Sequence, residues 1–177
     1  SNEKNLSFVF CIAKALKLNL KTVIKTANKF KGLDYRQQVI YKSKKLLIIN
    51  DSKSTSFSST APLLESYENI YWILGGLAKK GDRLKLKKKY VSNIRAYAYG
   101  KDRNFLIKSL PINMFRTSSS TLKGIMKNLN NNIKNDNTKK VILFSPCAAS
   151  FDQFKNFEQR GNIFNKIIKV MLKKIKK

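Results

Sequence analysis

Three short stretches carry the residue types from which a chemical site could be built. In 50–56, reading NDSKSTS, Asp51 offers a carboxylate for a ribose hydroxyl or a cation shell, Lys53 a point positive charge, and Ser52, Ser54 and Thr55 hydroxyls. The same letters also suit a strand end followed by a Ser/Thr helix cap. In 75–82, reading GGLAKKGD, paired glycines follow an apolar run and permit a sharp turn or a close approach of backbone to ligand. Lys79 or Lys80 then reaches a carboxylate or phosphate, or is simply solvated; no Gly-Lys-Ser/Thr follows at P-loop spacing. In 145–161, reading SPCAASFDQFKNFEQRG, an apolar run passes through small residues into a helix-like pattern. A strand, a tight turn and a helix N-terminus of this kind leave backbone N–H groups free for an anion. Ser150 is the expected cap, Asp152 suits the first turn, and Phe157 lies two turns beyond Ser150, facing a ligand or the core.

Composition limits what surrounds these stretches. A chain of 177 residues with 42% hydrophobic residues fits one domain with a small appendage. Cys11 and Cys147 lie far apart and match no metal spacing, which reads as two thiols in a reducing cytoplasm. Histidine is absent, so neither a His base nor a His-ligated metal comes from this chain, and no metal site is expected in it. No apolar run approaches the ~18 residues of a membrane span, and no signal-peptide pattern opens the chain. The net charge of +27 raises a nucleic-acid reading. The lysines are spread from end to end, however, and most aromatics sit inside apolar runs such as 71–74, so specific nucleic-acid binding is not expected. A stand-alone basic module that binds polyanions remains the alternative.

The elements that must position the three stretches alternate. Apolar spacing predicts two helices within 1–31, with Gly32 as a stop and 32–36 as the boundary. Beyond it, 39–41 and 46–49 read as strands, 62–67 as helix, 70–74 as a fully apolar strand, 84–90 as a short basic helix and 94–99 as a strand. Next come a helix at 105–110, a strand at 112–115, a helix at 122–133, a strand at 141–144 and a long helix from about Asp152. Ile163, Phe164, Ile167, Met171 and Ile175 give that last helix one apolar face, which suits docking on its own sheet better than a membrane surface. The order predicts an α/β, Rossmann-like, mostly parallel sheet with helices on both faces. Ligands in such sheets bind beyond the carboxyl ends of the strands, and the loops after Ile49, Leu74 and Phe144 fall at three such ends.

The wording of these loops, in this order, resembles the UDP-N-acetylmuramoylalanine–D-glutamate ligases. Residues 50–56 resemble the pattern Asn-Asp-Ser-Lys-Ala-Thr-Asn, departing at Ser54 and Ser56; 75–82 resemble Gly-Gly-x-x-Lys-x-x-Asp, which selects Lys79 over Lys80; 152–161 match the C-terminal signature. GLDYR at 32–36 resembles the linker Gly-Leu-Pro-His-Arg, with Asp34 and Tyr35 in place of Pro and His, and SNEKN at 1–5 resembles His-Asn-x-x-Asn. The resemblance implies that 1–31 are the last helices of an ATP-binding domain, 32–36 a linker and 37–177 the C-terminal domain that binds D-glutamate. It implies Thr55, Lys79, Ser150 and Phe157 on D-glutamate, Lys53 as the catalytic charge, and Asn5, Arg36 and Asp51 on ATP. The implied reaction joins D-glutamate to UDP-N-acetylmuramoyl-L-alanine through an acyl phosphate. The phosphate loop and Mg2+ ligands would lie in domains outside this chain, so the fragment alone is expected not to ligate. A sister ligase adding another amino acid is the nearest variant reading, and the D-glutamate wording around Ser150 and Phe157 argues against it.

Overall fold

The computed structural model describes residues 2–30, 32–134 and 136–175, in two units, Ser1–Leu33 and Asp34–Lys177. In the smaller unit, α1 (Asn2–Ala15) ends where Lys17 takes a left-handed φ of 52°. Asn19 then opens α2 (Leu20–Lys29) by accepting a hydrogen bond from the Thr22 N–H at 3.3 Å. Ala13 is buried, while Phe8, Ile12, Leu16 and Ile24 are exposed.

The larger unit contains, in chain order, β1 (Gln38–Lys42), β2 (Leu46–Asn50), α3 (Phe57–Ser66), β3 (Ile70–Gly75), β4 (Leu77–Ala78), α4 (Lys88–Val91), β5 (Ile94–Tyr99), α5 (Arg103–Lys108), β6 (Phe115–Ser119), α6 (Leu122–Lys134), β7 (Lys140–Phe144), β8 (Ala148–Ala149) and α7 (Phe157–Ile175). Six strands form one sheet in the order β1-β2-β7-β3-β5-β6. β1 is an antiparallel edge on β2, and every other neighbouring pair is parallel. Every residue of β3 and β7 is buried, because helices cover both faces.

Strand residues alternate between two cores. Ile70, Trp72, Leu74, Ala96, Ala98 and Leu143 pack with Phe57 and Leu64 of α3 and Leu106 of α5. Tyr71, Ile73, Tyr97, Tyr99, Ile142 and Phe144 pack with Ile125 and Leu129 of α6 and Phe164 and Ile168 of α7. Phe144 and Phe164 stack with ring centroids 4.2 Å apart, an aromatic pair worth about 1 kcal/mol beyond the area it buries. These rings are core, not an exposed stacking row. The long helix is docked on the sheet, and among the described residues no helix is long and apolar enough to cross a membrane.

Three expected elements are corrected. The last helix begins at Phe157, not near Asp152. The Ser150 carbonyl instead accepts from the Gln153 and Phe154 N–H groups, which closes a turn. The cap is Asn156, whose Oδ1 accepts from the Gln159 N–H at 2.8 Å. The basic helix at 84–90 shrinks to α4, because Leu84 and Leu86 point into the core and Arg83, Lys85 and Lys87 point out. That is an extended period of two, which competes with the helical one. The strand expected at 112–115 lies at Phe115–Ser119 instead, since Ile112, 88% exposed, belongs to the turn before it.

Candidate functional site

β2, β7 and β3 are neighbours and parallel, so the loops following them leave the same end of the sheet side by side. Backbone hydrogen bonds fix their relative height: Asp51 N–H to the Phe144 carbonyl at 2.7 Å, Ser145 N–H to Ile73 at 3.2 Å, and Gly75 N–H to Pro146 at 2.9 Å. The second and third loops then zip together as the antiparallel ribbon β4–β8, with Leu77 opposite Ala149 and Ala78 opposite Ala148. Gly76 permits this, because its φ is +128° and any Cβ there would strike the Ala149 carbonyl oxygen. Lys79 and Ser150 leave opposite ends of this ribbon. Lys79 is exposed, and Ser150 is 3% exposed.

Arg160 stitches all three loops from beneath. It is fully buried, and its Nε donates to Ser52 Oγ at 3.1 Å, its Nη2 to the Ser52 carbonyl at 2.7 Å, and its Nη1 to the Ala148 carbonyl at 2.9 Å and the Gly75 carbonyl at 3.4 Å. Burial pulls its pKa down from the usual guanidinium range. Sequence reading passed over this residue. The available signal was its spacing from Phe164 and Ile168, which places an arginine on the buried stripe of α7. Asn50 adds a second tie to the same helix, donating from Nδ2 to the Gly161 carbonyl at 3.0 Å and to Asn165 Oδ1 at 2.8 Å.

Among the sequence-selected residues, Lys53 and Phe157 are brought into direct contact, with the ammonium 3.9 Å from the ring centroid. Ser52 Oγ donates to the Phe157 carbonyl at 2.8 Å, so the first loop is pinned to the start of α7. Thr55 is exposed just before Ser56, the cap of α3. Arg36 is exposed, and its charge acts on Asp51. Asn5 belongs to the smaller unit, where α1 leaves it exposed. Two cavities, of about 320 and 300 Å³, lie away from these loops, beside Tyr41 and Val170 and beside Arg95 and Asp136. The loops themselves are an open basic face.

Asp51 is 6% exposed and already has two partners: Oδ1 accepts from the Gln37 N–H at 3.1 Å and Oδ2 from the Ser145 hydroxyl at 2.8 Å. A ligand hydroxyl would share one of these oxygens. Burial raises the Asp51 pKa, and the Ser145 and Gln37 bonds and the Arg36 charge offset only part of the rise. A carboxyl whose folded pKa is raised contributes most below its unfolded pKa near 4, and that contribution is lost as pH rises through the folded value. Asp51→Asn keeps an acceptor for Gln37 and faces an amide to a hydroxyl able to accept. Denaturant unfolding is therefore expected to find this variant at least as stable as the parent at pH 7, with its relative advantage shrinking as pH falls towards 4. A clear loss at pH 7 would sink this reading of the carboxylate.

No family model matches the chain. It is similar to curated UDP-N-acetylmuramoylalanine–D-glutamate ligases. The Wolbachia relative from Brugia malayi is 32% identical over 164 residues, 93% of this chain and 33% of the relative. That of Buchnera aphidicola from Baizongia pistaciae is 35% identical over 176 residues, 97% of this chain and 38% of the relative. That of Francisella tularensis SCHU S4 is 34% identical over 182 residues, 94% and 40%. Among solved structures, MurF of Acinetobacter baumannii superposes with a TM-score of 0.63 at 16% identity, covering 89% of this chain and 36% of that one. The MurF ligase of Thermotoga maritima in complex with ADP gives 0.59 at 17% identity, covering 90% and 36%. At that identity the structural likeness speaks to the fold alone; the sequence likeness goes further. Over nearly its whole length the chain is thus similar to UDP-N-acetylmuramoylalanine–D-glutamate ligases, of whose length it spans about a third.

Proposed function

We propose that this chain is the C-terminal, amino-acid-binding part of a cytoplasmic peptidoglycan-precursor ligase that joins D-glutamate to UDP-N-acetylmuramoyl-L-alanine. The observation that carries this reading is the alignment of three loops at one end of the sheet, bearing Lys53, Lys79 and Ser150 and held by the β4–β8 ribbon and Arg160, in a chain similar to such ligases. Thr55, Lys79, Ser150 and Phe157 bind and orient D-glutamate, two carboxylates on a cationic, hydroxyl-lined face. Lys53 stabilises the negative charge that develops when the amine attacks the acyl phosphate and the tetrahedral intermediate collapses to an amide. The activating phosphoryl group comes from ATP. Arg36 and Asn5 are exposed donors suited to phosphate and base, and Asp51 accepts from the Gln37 N–H just after the linker. Among the described residues no group of three His, Cys, Asp or Glu could hold a metal; in this reading the Mg2+ ligands belong to the rest of the ligase. The uridine-nucleotide substrate and the P-loop belong to the rest of the ligase, and the chain alone does not ligate.

The test is a titration of the chain with D-glutamate, followed by NMR, with L-glutamate as control. Saturable shifts centred on Lys79 and Ser150 with D-glutamate alone support the reading. Lys79→Ala removes a charge-assisted hydrogen bond worth about 1.5–3 kcal/mol, roughly 10–100-fold in Kd. Equal response to both enantiomers, or undiminished binding by Lys79→Ala, would refute it.

A further inference from the structure

We propose that Tyr35 is a positioning residue that sets the Lys53–Phe157 pair from the linker side; the idea rests on the reading of Lys53 and Phe157 above. The backbone of Tyr35 is left-handed, with φ 61°, and Gln37 two residues on has φ 49°. Bulky side chains avoid this region, which costs about 1–3 kcal/mol and persists only where surroundings over-determine it. Here they do. The Tyr35 carbonyl accepts from the Lys53 N–H at 3.0 Å, and the Tyr35 N–H donates to Gln38 Oε1 at 3.3 Å. Its ring lies so close to Gly161 that a Cβ there would collide with three ring atoms. The same ring meets Phe157 edge-on, with centroids 6.4 Å apart and planes at 76°.

Tyr35 therefore touches both members of the pair: the backbone of Lys53 and the ring of Phe157. Phe157 is half-buried, and its ammonium partner is held by an aromatic face, not by a carboxylate. Among the described residues the one ion pair, Lys140–Asp136, belongs to the opposite end of the strands. With no carboxylate to fix it, the Lys53 ammonium takes its place from the orientation of the Phe157 ring, and the Tyr35 edge sets that orientation. The next two residues act on the same loop: Arg36, the last of the linker, through its charge on Asp51, and Gln37 by donating its N–H to the Asp51 carboxylate.

An ammonium over an aromatic face places the adjacent ε-CH2 protons in the ring-current shield. In the chain with 13C-labelled lysine, Lys53, assigned through Lys53→Arg, is expected to show an upfield ε-CH2 signal. That shift is expected to vanish in Tyr35→Ala and Phe157→Ala and to persist in Tyr35→Phe and Tyr35→His, with the shielded core methyl signals unchanged as the check on folding. An upfield signal that survives Tyr35→Ala, or no upfield signal in the parent, would overturn the proposal. Adding D-glutamate separates the two claims: the Tyr35 dependence of the signal tests positioning, and the response to ligand tests the binding reading independently.

Discussion

Arg160→Met is expected to be the most destabilising single change in the loop scaffold, lowering stability by about 3 kcal/mol and Tm by roughly 10 °C for a unit of this size. Two terms oppose each other. Removing a buried guanidinium returns part of its desolvation cost, and methionine fills most of its volume. Against that, the Ser52 and Ala148 carbonyls and the Ser52 hydroxyl lose their donor. Each buried group left without a partner costs about 1–3 kcal/mol, and the losses outweigh the gain. The fully buried Tyr99 hydroxyl faces the Arg160 guanidinium, and the half-buried Asp152 carboxylate also acts on that charge, so the substitution removes the positive partner of both. Arg160→Lys restores the charge but not the planar fork that reaches Ser52 and Ala148 together, and should recover less than half of the loss. Thermal and urea unfolding decide it. A midpoint within two or three degrees of the parent would show that the three loops hold their register without the arginine.

How far the sequence reveals this scaffold depends on the range of the interaction. IYWIL at 70–74 and VILF at 141–144 are apolar without alternation, and burial on both sheet faces requires that, so the parallel core was legible. The grouping of loops beyond Ile49, Leu74 and Phe144 followed from the same pattern, because it is a property of parallel order. The β4–β8 ribbon was not legible: two residues on each side leave no periodicity, and the pairing joins positions some seventy residues apart. Arg160 was missed for a related reason. An arginine on an apolar stripe reads locally as a solvated charge, and its partners, Ser52, Gly75 and Ala148, are distant in sequence. The start of α7 was misplaced because Ser150 and Asp152 have the right types for a cap; other bonds claimed them first, Ser150 in a local turn and Asp152 as the distant acceptor for the Lys101 N–H at 3.0 Å. Local chemistry was visible, and the ties that cross the molecule were not.

Lys53→Met, in a complete ligase carrying this chain, is expected to lower kcat by about 10²–10³-fold, the usual loss when one preorganised charge or donor at a developing anion is removed, while KM for D-glutamate changes little. Methionine is the informative replacement. Its stem has nearly the reach of lysine, and its sulfur sits favourably against an aromatic ring. The Phe157 face therefore stays covered and the loop keeps its anchor through the Lys53 N–H to the Tyr35 carbonyl, a bond the side chain does not make. The cation–π contact itself is worth about 0.5–1 kcal/mol at a partly exposed site, too little to unfold the unit, so lost activity is not lost fold. The split between kcat and KM carries the argument. D-Glutamate is held in this reading by Thr55, Lys79, Ser150 and Phe157, which the substitution leaves in place, whereas negative charge on the acyl phosphate and the tetrahedral intermediate grows only along the reaction path. A variant whose kcat stays within threefold of the parent, or one that loses KM for D-glutamate and keeps kcat, would move Lys53 from charge stabilisation to ground-state binding.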